Sequence, residues 1–218
     1  MNSLDPQLND FPAAIPVFPL PEVLLLPGGT LPLNIFEPRY LSMVEAALGA
    51  DRMIGVIQPL STSGLAGDPP LYDTGCAGRI SRFEETPDGR FLISLKGVCR
   101  FDIAEELAPR DGYRRVQADW SPYKGDLEET ESRICLNRGR LFPALRNFFK
   151  LHGIEADWET LGEAPDERLV TCLSMICPFG AAEKQALLEA PGLDERSEIL
   201  TTLIEMGAGQ HDCSPVRQ

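Results

Sequence analysis

The sequence predicts an α+β fold in which a strand-rich part precedes a helical part. From Ile15 to Trp120, short apolar runs are punctuated by Gly and Pro, the pattern of a sheet or barrel of short strands. After Tyr123-Lys124-Gly125 the apolar period changes from two to about 3.6, the period of amphipathic helices. The 218 residues, 43% hydrophobic and 24% charged, have ordinary soluble composition and suffice for one large domain or two small ones.

The expected strands are 14–18, 22–26, 53–58, 76–83, 90–96, 98–106 and 113–120. Between Ile80…Phe83 and Phe91…Leu95, the run Glu84-Glu85-Thr86-Pro87-Asp88-Gly89 reads as a hairpin turn, because Pro fixes φ and Asp-Gly tolerates positive φ. One helix interrupts the strands: Pro38 suits its first turn, and Leu41, Val44 and Leu48 recur on one face. The small, polar stretch from Leu60 to Pro70 reads as an exposed, mobile loop. Further on, Leu127, Ile134, Leu141, Leu145 and Phe148 predict a long helix that Pro143 kinks or splits. A helix bracketed by Pro165 and Pro178 carries Leu169, Leu173 and Ile176 on one face. Two more are expected over 181–190 and 194–206, stopped by Pro191-Gly192 and by Gly207. The expected parts are therefore a β-rich 12–122, a helical 123–208 and a frayed tail over 209–218.

A net charge of −13 opposes binding to phosphate backbones and anionic lipid, so nucleic acid is a disfavoured partner and no membrane partner is expected. The N-terminus lacks the basic-then-apolar order of a secretory signal, and no apolar run approaches a membrane span; a cytoplasmic location is expected. Six scattered cysteines in a chain of this length read as reduced and mostly buried.

Few motifs carry chemistry. Pro27-Gly28-Gly29-Thr30 invites a phosphate-loop reading, yet none of the four lysines (Lys96, Lys124, Lys150, Lys184) precedes Ser or Thr, so the run is read as a turn. Gly75-Cys76-Ala77-Gly78 leads into a strand, where close backbone approach explains both glycines. His152, before Gly153, is placed to meet the last carbonyls of its helix. His211 near Cys213 lacks further metal ligands, so no metal and no cofactor is expected. Cys172 and Cys177 are expected in the core, and the acidic pairs Glu84-Glu85, Glu105-Glu106 and Glu128-Glu129 on solvated faces. Glu37-Pro38-Arg39-Tyr40 is the one charged and aromatic group inside the apolar N-terminal run. Arg39 and Tyr40 could present a guanidinium and a phenol to a peptide. The favoured reading pairs Arg39 with an acid at the strand–helix junction, with Tyr40 packed beneath.

Pro16-Val17-Phe18-Pro19-Leu20, Leu26-Pro27-Gly28, Leu31-Pro32-Leu33 and Ile35-Phe36-Glu37-Pro38-Arg39-Tyr40 form an ordered motif series. Together with Tyr72…Ile80 and Gly97-Val98-Cys99-Arg100-Phe101, they closely resemble the N-terminal domain of Lon ATP-dependent proteases. The resemblance implies a PUA-like pseudo-barrel followed by a helical bundle, without the ATPase and Ser-Lys protease modules of a full Lon. It implies a non-catalytic module that binds protein partners or unfolded peptide segments, with a full-length Lon as one candidate partner. The residues expected to meet such a partner are Phe36, Glu37, Arg39, Tyr40 and Arg79, and the junction of barrel and helices is the expected location of a cleft. RNA or small-ligand binding through the PUA-like fold is the alternative, which for RNA needs a local basic patch around Arg79, Arg82, Arg114 and Arg115. A third reading is an enzyme of unrecognised type.

Overall fold

A single long strand organises the β-rich half. The computed structural model of the chain describes residues 11–60, 69–127 and 136–209. Its strands are β1 (Ala14–Pro19), β2 (Thr30–Ile35), β3 (Met53–Ile57), β4 (Thr74–Glu85), β5 (Phe91–Arg110) and β6 (Tyr113–Asp119). The sheet order is β2-β5-β4-β3-β1-β6, and β5 also pairs with β6. The first residues of β5, Phe91 to Lys96, lie between β2 and β4, and its last residues pair with β6, so β5-β4-β3-β1-β6 closes into a ring while β2 stays outside. All pairings are antiparallel except β1 with β3. Register shifts in β4–β5 and β5–β6 supply the bends that closure needs.

Phe101 fills the ring. It is fully buried with Ile15, Val17, Ile57, Cys99, Val116 and Trp120. Gly55 and Gly75 make room for it, since a Cβ on either would lie within 3.0 Å of the Phe101 ring. That is the close approach expected of the glycine before Cys76. The hairpin over 84–89 forms as expected, with Gly89 at φ 79°. Asp111 and Gly112, both at positive φ, turn β5 into β6.

Several expectations need correction. Residues 22–26 are not a strand: Leu24, Leu25 and Leu26 are buried but cross β5 at Gly97. There the Gly28 N–H donates to the Gly97 carbonyl at 3.0 Å and the Gly97 N–H to the Gly29 carbonyl at 2.9 Å. The strand lies next door, in 30–35, where Pro32 is tolerated because β2 is an edge strand. Strands 90–96 and 98–106 are one strand, because Gly97 is a point of close approach and not a break. The expected mobile loop falls largely on 61–68, outside the described residues.

The helices are α1 (Pro38–Leu48), α2 (Arg138–His152), α3 (Trp158–Glu163), α4 (Asp166–Ile176), α5 (Ala181–Glu189) and α6 (Leu193–Gly209), with a 3-10 segment over Ser121–Leu127. Pro38 occupies the first turn of α1, which buries Tyr40, Met43, Val44 and Ala47. The expected long helix starts only at Arg138: Leu127 ends the 3-10 segment, and Ile134 lies outside the described residues. Pro143 sits inside α2 without splitting it, and the burial of Leu141, Leu145, Phe148 and Phe149 offsets the lost backbone hydrogen bond. The short α3, capped by the Asp157 carboxylate, escaped the periodicity reading. On α4, Ile176 is exposed rather than on the buried face, as is Cys172. Helix α6 packs on α2, α4 and α5. A continuous apolar core joins Phe18, Ile54, Ile80 and Leu95 of the strand part to Leu145, Leu173, Leu187 and Leu200 of the helices.

Candidate functional site

Strand β2 and the residues after it present a row of accessible side chains. Residues alternate along β2: Thr30, Pro32 and Asn34 are exposed, Leu31 and Leu33 half-buried, Ile35 buried. Cross-strand register sets the outward rows as Thr30–Lys96–Arg79, Pro32–Ser94–Arg82 and Asn34–Leu92–Glu84. Between them lies a shallow groove of 340 Å³ lined by Pro32, Asn34, Arg82, Glu84, Leu92 and Ser94, among others. Leu92 is 39% exposed, and Arg82 donates to the Glu84 carboxylate at 3.1 Å.

Directly after β2, Phe36 stands 64% exposed. Glu37 is the N-cap residue of α1 and makes no side-chain cap; its carboxylate instead accepts from Arg39 Nε at 3.1 Å. The Arg39 guanidinium lies over the Tyr40 ring, 4.5 Å from its centroid. Tyr40 is itself buried, with its ring centroid 4.2 Å from that of Phe18. The pairing of Arg39 with an acid above a packed Tyr40 thus forms, although the ion pair is half-exposed. Arg79 stands apart from this group. Its guanidinium reaches the Asp51 carbonyl at 3.5 Å, just past the C-terminus of α1, and an 11-residue helix spans about 16 Å. Arg79 belongs instead to the outward face of the sheet, beside Lys96.

Beside the shared apolar core, polar contacts also cross the boundary between strands and helices. Arg100, 5% exposed, forks onto Asp126 and donates from Nη1 to the carbonyls of Leu188 and Ala190 at 3.0 and 2.7 Å. Gln58 donates to the Ala181 carbonyl and to Gln185 Oε1, and Gln185 donates to the Thr74 carbonyl. Arg196 donates from Nε to the Leu187 carbonyl; burial and the neighbouring Arg100 push its pKa down to about 10. Arg100, Gln58 and Gln185 thus link strands to helices along this boundary, and the groove described above lies on the sheet face. The basic patch required for RNA does not assemble from the four arginines: Arg114 is buried, forked onto Glu106 and donating to the Pro69 carbonyl. His152 Nδ1 lies 2.9 Å from the Phe148 carbonyl at the end of α2, the expected capping arrangement. The thiols of Cys99 and Cys177 are pushed up to about 12, chiefly by burial. Among the described residues no group of three His, Cys, Asp or Glu side chains could hold a metal ion, and no helix is long and apolar enough to cross a membrane. His211, Cys213, Cys135, Glu128 and Glu129 lie outside the described residues.

Residues 14–206 match the family described as the ATP-dependent protease La (LON) substrate-binding domain. The chain belongs to this family. Lon protease of Parabacteroides distasonis is 30% identical over 204 residues, and Lon protease 1 of Hydrogenovibrio crunogenus is 25% identical over 202. These alignments cover 84% and 90% of this chain but only 22% and 24% of the relatives, so the chain spans less than a quarter of their length. The crystal structure of a Lon N-terminal domain protein from Xanthomonas campestris superposes with a TM-score of 0.61 at 23% identity, covering 87% of this chain and 97% of that one. The N-terminal domain of a Mycobacterium avium complex Lon protease gives 0.60 at 15% identity, over 91% and 99%. Both share the fold.

In this LON substrate-binding domain the motif that carried the resemblance runs through β2 and into α1, so the signature residues and the accessible surface coincide in part. Arg100 escaped the sequence reading. Its signal was a lone cation in the run Val98-Cys99-Arg100-Phe101, whose other members are apolar.

Proposed function

We propose that this LON substrate-binding domain is a non-catalytic module that binds protein partners or unfolded peptide segments. On this reading it serves protein quality control in the cytoplasm as an adaptor or regulator, with a full-length Lon among its partners. The observation that carries the proposal is the family match over residues 14–206, in a sequence where no lysine precedes the Ser or Thr of a phosphate loop. The Lon proteases it resembles are several times longer, and the matched segment is their substrate-binding part.

The contact surface centres on Phe36, Glu37 and Arg39, with Tyr40 supporting Arg39 from below. Covering an exposed Phe such as Phe36 is worth about 1.5–3 kcal/mol. The Arg39 guanidinium retains donors for a peptide carbonyl or carboxylate beyond the one it gives Glu37. Arg79 contributes from the sheet face. Such a small surface suits weak, exchangeable binding of many sequences.

The test is titration of the full chain with a permanently unfolded client, followed by Phe36→Ser and Arg39→Ala. Binding should weaken by about 1–2 kcal/mol for Phe36→Ser, with thermal unfolding unchanged. A folded protein that leaves the client free at high micromolar concentration would sink the proposal.

A further inference from the structure

The outward face of β2, β5 and β4 combines two features that point to one kind of ligand. Lys96 and Arg79 are direct cross-strand partners on this face, where Cβ atoms stand about 4.5–5.5 Å apart and like charges oppose folding. Neither forms an ion pair among the described residues: Arg79 reaches only the Asp51 carbonyl, and Lys96 has no polar partner. Arg82 adds a third cation, and the one carboxylate in these rows, Glu84, is already bound to it. An unpaired basic row on a chain of net charge −13 is a local inversion of the protein's field.

The same face is apolar a short way along. Leu92 is exposed beside Pro32 in the groove, four residues from Lys96 on β5. Four residues of strand span about 13 Å. Both side chains point outward, because they are separated by an even number of residues and both are exposed between buried Phe91, Ile93 and Leu95.

The geometry points to an extended peptide bearing a carboxylate and, about four residues away, an apolar side chain as the ligand of this face. The carboxylate accepts from Arg79 and Lys96, relieving their mutual repulsion, and the apolar side chain covers Leu92 and Pro32. The inference rests on the peptide-binding reading above and gives it a ligand class. A protein segment fits better than nucleic acid, because the row holds few cations for a phosphate backbone, and the apolar half of the groove offers a polynucleotide nothing.

The experiment uses fluorescence anisotropy with the full chain and labelled peptides of equal length, carrying Leu four residues from Glu, Gln or Lys. The Glu peptide should bind roughly tenfold more tightly than the Gln peptide at low salt, with the gap closing as salt rises. Lys96→Glu should reverse the preference between the Glu and Lys peptides while raising the melting temperature, since it places a carboxylate opposite Arg79. A destabilised site would lower both together. Equal binding of all peptides, unchanged by Lys96→Glu, overturns the inference while leaving peptide binding intact. Failure of every peptide and of an unfolded client overturns both readings. Tighter binding of a labelled oligouridylate than of the Glu peptide, lost in Lys96→Glu, overturns the peptide assignment in favour of nucleic acid.

Discussion

Arg100 and Asp126 form a buried, forked ion pair: Asp126 Oδ2 accepts from Arg100 Nε at 2.9 Å and Oδ1 from Nη2 at 2.8 Å. The pair anchors the 3-10 segment to β5, while Arg100 Nη1 holds the carbonyls at the end of α5. One side chain therefore bridges β5, the 3-10 segment and the end of α5. Removing only Asp126 leaves a buried guanidinium without its counter-ion. Asp126→Ala is expected to cost about 3–5 kcal/mol in urea unfolding, whereas Arg100→Met with Asp126→Leu should cost much less than the sum of the single variants. Additive effects would mean that the two residues act separately.

Gly97 supports a second prediction. A Cβ there would collide with the backbone carbonyl of Leu26, a group that cannot swing aside. Gly153 sits at φ 65° after α2 with open space around it. Gly153→Ala should therefore cost about 1 kcal/mol of conformational strain. Gly97→Ala should cost more than about 3 kcal/mol or prevent folding, as the crossing of residues 24–26 over β5 is lost. Equal melting temperatures for the two variants would refute the crossing.

The buried thiols predict alkaline sensitivity. Burial pushes Cys99 and Cys177 from 9.0 up to about 12, and Cys76 also moves well upward. The unfolded chain thus releases these protons first. The stability they contribute is full below about pH 9 and falls by up to about 1.4 kcal/mol per pH unit per thiol up to about pH 12. Arg196, pushed down to about 10, works in the opposite direction above that pH, so a difference measurement is needed. The stability gap between the parent protein and Cys99→Ala should shrink steadily from pH 9 to 11. A constant gap would show that Cys99 ionises equally in both states.

The segregated α+β order, the 84–89 hairpin, α1 and three of the later helices were legible because each rests on a local signal. The misreadings share a cause. Leu24-Leu25-Leu26 looks like a strand because burial alone makes a run apolar, whether or not its backbone pairs. Thr30-Leu31-Pro32-Leu33-Asn34-Ile35 alternates correctly, yet Pro32 hides it until its edge position is known. Gly97 reads as a break because nothing in the chain announces that Leu26 passes over it. The candidate surface was half legible: Phe36, Glu37, Arg39 and Tyr40 are neighbours in sequence and in space. Lys96 went unnoticed because its pairing with Arg79 depends on register across β4 and β5, including a shifted step at Ala77/Gly78.

The most direct measurement of the central claim is isothermal titration of the full chain with an unfolded client, without nucleotide, followed by recovery of the client for mass spectrometry. The account predicts saturable binding at micromolar affinity, weakened by Phe36→Ser, and a client recovered intact. No heat of binding by a folded protein, or a client recovered as fragments, would contradict it.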